Sequence, residues 1–160
     1  MNVSWSDAET FCRWAGKSLP SEAQWERAAR GDDNLLLPWG NEKTAGNANL
    51  KGSADGFAYA APVGSFSQDR SPFGVLDLAG NLPEWTADTY SLYPGNSVDL
   101  PEEERSHRVI RGGGFMMDVE LARATNRASA SPVIRDSKTL QVGFRCAADL
   151  NSGMPLAVKR

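Results

Sequence analysis

VSWSDAETFCRWAGKSLPSEAQWERAARG, residues 3–31, reads as two short helices in succession, each with its own start and stop signal. In the first, Ser6 and Glu9 stand three apart, the spacing at which a serine hydroxyl and an acidic side chain cap a helix reciprocally. Ala8, Phe11, Cys12 and Ala15 then recur at helical spacing, and Gly16 supplies the residue that tolerates a left-handed exit. In the second, Pro20 precedes Ser21, and Ser21 with Gln24 repeats the cap spacing. Ala23, Trp25, Ala28 and Ala29 follow, and Gly31 ends the run.

Beyond Gly31 the helical period disappears. Residues 32–68 are rich in Gly, Asn, Asp, Ala and Pro, yet they carry Leu35, Leu36, Leu37, Trp39, Phe57, Val63 and Phe66. A flexible linker has no use for so many large apolar groups, so the segment is expected to be ordered coil packed on a core. A bound cation is one force that could order it. Strands are expected at 74–77, 84–88, 108–112 and 141–147; in the last, Val142, Phe144 and Cys146 alternate with Gly143 and Arg145. Residues 94–105 read as an exposed acidic loop, and 149–160 as a frayed tail after a domain spanning 1–148. Helices first and strands later make the class α+β with a large coil fraction.

Totals narrow the function. The 160 residues are 41% apolar and 23% charged, enough for one globular domain. A net charge of −3 with no basic stripe argues against nucleic acid as a partner. No apolar run approaches the roughly 18 residues of a membrane span. The opening MNVSWSDAETF lacks the basic and apolar regions of a signal peptide.

Two cysteines, Cys12 and Cys146, are equally readable as buried thiols or as a disulfide, and with a single histidine they make a poor zinc set. That histidine, His107, sits between arginines in a polar loop and reads as solvent-exposed. Arg111, Arg123, Arg127, Arg135 and Arg145 read either as salt-bridge partners or as one wall of a groove for an anionic or peptide ligand. Trp5, Trp14, Trp25, Trp39 and Trp85 read as core. The glycines at 112–114 follow a strand, but no phosphate-binding motif completes them.

Six segments in order carry a resemblance: residues 3–31, PWGN at 38–41, ADGF and APVGSF at 54–57 and 61–66, FGVLDLAGNLPEWTAD at 73–88, RVIRGG at 108–113 and GFRCA at 143–147. Over about residues 2–148 the chain resembles the formylglycine-generating-enzyme, or sulfatase-modifying-factor, family. The resemblance implies a C-type-lectin-like fold with two short N-terminal helices, small antiparallel sheets and much coil. It implies a disulfide between Cys12 and Cys146, and with it an extracytoplasmic or secreted setting. It also implies that the family's first strands, which precede the VSW segment, are missing here.

Enzymes of that family oxidise a client sulfatase cysteine with molecular oxygen, using two cysteines just after the RGG segment that hold copper(I). Soft thiolates select that ion. Counting without a gap from RGG and from GFRCA places those two positions on Met117 and Ala122, and the usual serine on Gly114. Copper is therefore not expected. The family's calcium sites correspond to Asn49, Leu50, Asp55 and Phe57, and to Asp77, Gly80, Leu82 and Glu84. Structural Ca²⁺ is the expected cofactor, since that ion collects oxygens from carboxylates, amides and turn carbonyls; the alternative is that Asp55 and Asp77 only cap turns and Glu84 pairs with an arginine. The function expected is that of a non-catalytic binding module, a pseudoenzyme for a protein, peptide or glycan, built into a larger protein. Its ligand groove is expected near Met117, Arg123, Asn126 and Arg135 in the irregular segment 114–141. The alternative is an oxidoreductase of the same family, making formylglycine or catalysing a related metal-dependent oxidation.

Overall fold

The computed structural model describes residues 1–52, 56–134 and 141–148. Helix α1 is Trp5–Trp14 and helix α2 is Glu22–Arg30. The expected cap of α1 at Ser6 is corrected to Ser4, whose side chain accepts from the backbone N–H of Asp7 while the Asp7 carboxylate accepts from the Ser4 N–H. Both serines have an acid three residues on. The tertiary fold favours the earlier one: Ser4 is buried, and the Trp5 N–H, which a helix start leaves without an internal partner, donates to the Pro132 carbonyl at 3.0 Å. In α2 the Ser21–Gln24 box forms as the sequence indicates, and Gly31 closes the helix at φ 65°.

Four strands follow: β1 (Glu84–Thr89), β2 (Arg108–Arg111), β3 (Arg127–Ala130) and β4 (Gly143–Phe144). They form one sheet in the order β3-β2-β1-β4. β1 is antiparallel to β2 and β2 to β3, but β1 and β4 run parallel. The sheet is therefore mixed, where antiparallel sheets were expected; the class is α+β. Residues 74–77 form no strand beyond an isolated bridge of Leu76 to Arg70, because Gly74 and Asp77 both have positive φ, 79° and 56°, which breaks an extended run.

Three apolar clusters fill the molecule. Ala8, Cys12 and Leu19 meet Trp85, Ile110 and Val142 between α1 and the sheet. Trp25 and Ala29 of α2 pack on Leu78 and Ala124. Leu37, Ala48, Leu50, Ala79 and Ala122 form a third cluster from loops and turns alone, so the expected packing of coil onto a core holds at Leu37 and Leu50. It fails at Leu36 and Phe57, which are exposed, and at Val63, which is 89% exposed; Trp14 is 80% exposed rather than core. The 94–105 loop is largely exposed, as expected, and contains a single 3₁₀ turn at Glu102–Glu104.

Cys12 of α1 is disulfide-bonded to Cys146 just after β4, with Cα atoms 5.5 Å apart. Beside the bond, Ser18 and Ala147 exchange backbone hydrogen bonds of 3.0 and 2.7 Å. No helix among the described residues is long and apolar enough to cross a membrane.

Candidate functional site

The loops that resemble the family's working parts are held together by one asparagine. Asn81 sits at φ 71°, a left-handed conformation that Asn tolerates better than most residues. Its N–H donates to the Asn49 carbonyl at 2.9 Å, and its carbonyl accepts from Phe115 N at 3.1 Å. Its side-chain oxygen accepts from Ala61 N at 2.8 Å and Asn49 Nδ2 at 3.3 Å, and its Nδ2 donates to the Ala61 carbonyl at 3.2 Å. Three loops thus meet backbone to backbone. Gly113 N donates to the Ala79 carbonyl at 3.0 Å, and Lys51 N to the Met117 carbonyl at 3.0 Å. A Cβ on Gly80 would lie 2.7 Å from the Asn49 carbonyl oxygen, and one on Gly113 would collide with the Ala79 carbonyl, so only glycine admits this spacing. Asp69 completes the arrangement. Buried, it accepts from Ala79 N at 3.1 Å and Gly80 N at 3.0 Å, and burial pushes its carboxyl up to about 6 despite those N–H donors. Asp69 was not singled out from the sequence; nothing in its spacing distinguishes it from other loop aspartates.

At the two positions where the resemblance places thiolates, the structure offers no ligand pair. Ala122 ends the 3₁₀ turn Val119–Ala122, fully buried among Leu37, Ala48, Leu50 and Ala79. Met117 lines a cleft of about 20 Å³ with Pro83, Gly114 and Gln141. The Gly114 backbone is pressed against Pro83; an added Cβ there would be 2.8 Å from Pro83 Cδ. An apolar methyl and a lone thioether do not make a copper(I) site. Among the described residues no three His, Cys, Asp or Glu side chains come together as a metal cluster.

In the first oxygen set, Asn49 and Leu50 are buried, Asn49 Nδ2 donates to the Tyr59 carbonyl at 3.0 Å, and Phe57 is partly exposed. Asp55 lies outside the described residues. In the second set, Asp77 accepts from Gly64 N at 2.6 Å. Glu84, 7% exposed, is taken up by Arg145: Nε donates to Oε2 at 2.5 Å and Nη2 to Oε1 at 2.7 Å, while Trp25 Nε1 also donates to Oε2 at 2.8 Å. Burial works against the Arg145 charge, but Glu84 outweighs it and holds the guanidinium above its ordinary value.

The arginines divide. Arg111, fully buried, reaches Glu22 at 3.2 Å, Glu26 at 2.6 Å and the Ala124 carbonyl at 2.6 Å. Arg127 forks onto Glu22 at 2.5 and 2.8 Å and lies over the rings of Tyr90 and Tyr93. These, with Arg145, are salt-bridge braces. Arg123 is exposed and donates to the Glu120 carbonyl at 2.9 Å, and Asn126 donates to the Leu121 carbonyl at 2.9 Å. Neither lines the small cleft that Met117 lines; Arg135 lies outside the described residues. His107 is half-buried rather than free, its Nδ1 3.2 Å from Ser129 Oγ.

The chain matches the family model described as a sulfatase-modifying factor enzyme 1-like domain over residues 1–150. It is 37% identical to the formylglycine-generating enzyme of Mus musculus, over 93% of this chain and 44% of that protein. It is 36% identical to the inactive C-alpha-formylglycine-generating enzyme 2 of Bos taurus, over 92% of this chain and 49% of that protein. The chain thus spans about half the length of these relatives. Among solved structures, PvdO from Pseudomonas aeruginosa superposes with a TM-score of 0.69 at 30% identity, over 84% of this chain and 56% of that one. By the family model over residues 1–150, by its identity to the curated relatives and by its superposition on PvdO, the chain belongs to the formylglycine-generating-enzyme family of sulfatase-modifying-factor domains.

Proposed function

We propose that this chain is a non-catalytic member of its family and works as a binding module for a protein, peptide or glycan. One observation carries the reading: where the resemblance puts two thiolates, the chain has Met117 and a fully buried Ala122, with Pro83 packed over Gly114. Oxygen activation in the family needs a soft, electron-rich metal site, and these side chains supply none. Similarity to a relative named as inactive supports the reading. Spanning about half of longer relatives supports a role as one module of a larger protein. The ligand surface is proposed on segment 114–141, with Met117, Arg123, Asn126 and Arg135 as contacts. Calcium is proposed at the first oxygen set, Asn49, Leu50, Asp55 and Phe57, where an ion would add to the bracing that Asn81 supplies; chelation with EGTA should then lower the melting temperature by several degrees.

The decisive experiment gives the purified chain copper(I), dissolved oxygen and a peptide of the CxPxR type that the family's enzymes modify. The expected outcome is no stoichiometric copper binding and no oxygen uptake above background. Conversion of the peptide cysteine to an aldehyde would sink the reading and install the oxidoreductase alternative.

A further inference from the structure

The second oxygen set already contains a cation, and it is covalently part of the chain. Both oxygens of Glu84 accept from Arg145. The same Nη2 also donates to the carbonyls of Leu76 at 3.0 Å and Asp77 at 2.8 Å. One guanidinium therefore gathers a buried carboxylate and two carbonyls of the turn leading into the AGN loop, which is the work a bound metal ion does in a turn. Trp25 Nε1, at 2.8 Å from Oε2, uses a further lone pair of Glu84. An ion bound to the Glu84 oxygens would sit directly against a half-buried, permanently charged guanidinium, and the two cations would repel.

We infer that Arg145 is the resident cation of this corner, so that Asp77, Gly80, Leu82 and Glu84 do not form a calcium site in this chain. The Asp77 carboxylate instead accepts from Gly64 N and fastens the 62–65 turn. The inference goes beyond the binding-module reading and is independent of calcium at the first set.

Isothermal titration of the intact chain with calcium chloride tests it, in the parent and in Asp77→Gly. Glycine suits the φ of 56° at that position and removes only the side chain. The expected result is a calcium stoichiometry of at most one, unchanged by Asp77→Gly. Loss of a calcium equivalent in Asp77→Gly overturns the inference. No calcium binding in the parent upholds it while removing the proposal at the first set, so the two fail separately. A second variant asks the converse. Arg145→Met should gain a calcium-dependent rise in melting temperature that the Asp77→Gly/Arg145→Met double variant lacks. If Arg145→Met does not fold, the stoichiometry in Asp77→Gly decides alone.

Discussion

At the scale of single residues, the polar groups hold the molecule where secondary structure is sparse. Asn81 uses both main-chain and both side-chain amide groups to join loops that form no sheet. Asp69 does related work at a cost, because its carboxyl is raised from 3.8 to about 6 by burial. A carboxyl whose folded value exceeds its unfolded one favours folding most when protonated, so this contribution is present below about pH 4 and is lost as pH rises through 6. Asp69→Asn keeps one acceptor for the Ala79 and Gly80 N–H groups and removes the ionisation. Denaturant melts at a series of pH values should show the parent losing about 1–3 kcal/mol across pH 4–7 relative to Asp69→Asn. A parallel dependence in the two proteins would reject this role.

At the scale of elements, the start of α1 provides a clean comparison. Ser4→Ala should cost about 1 kcal/mol in chemical denaturation, whereas Ser6→Ala, on the exposed helix surface, should change stability by less than about 0.5 kcal/mol. Local pattern could not separate these serines, since Ser4–Asp7 and Ser6–Glu9 have the same spacing; the Pro132 carbonyl that satisfies Trp5 N is 127 residues away. α2 was legible because its cap, Trp25 face and Gly31 stop agree locally. β1 and β2 were legible from their apolar content. β3 was not, because RASA carries no large apolar residue and owes its place to pairing with β2. The parallel placement of β4 depends on a long-range pairing that alternation cannot encode. In the candidate site, Met117 and Ala122 stand in the sequence where the resemblance puts thiolates. That Glu84 pairs with an arginine was one of two readings open from the sequence; which arginine was not legible, because 61 residues separate Glu84 from Arg145.

At the scale of the whole molecule, the sheet carries α1 on one flank and α2 on another, while the irregular loops pack into a separate cluster around Leu37 and Ala122. Much of the fold thus rests on long-range ties, of which the Cys12–Cys146 disulfide spans the most sequence among the described residues. In the chain-entropy account, closing so long a loop stabilises by about 4–5 kcal/mol, so melts with and without reductant should differ by an amount of that order. Two titratable thiols in the denatured, non-reduced protein would refute the bond. Joined at Cys12 and Cys146, residues 13–145 make a closed ring, and the exposed 94–105 loop is one arc of it. A single peptide-bond cut in that arc opens the ring without dividing the molecule. The nicked protein stays one covalent species, with both halves of the sheet still tethered, until the sulfur–sulfur link is reduced.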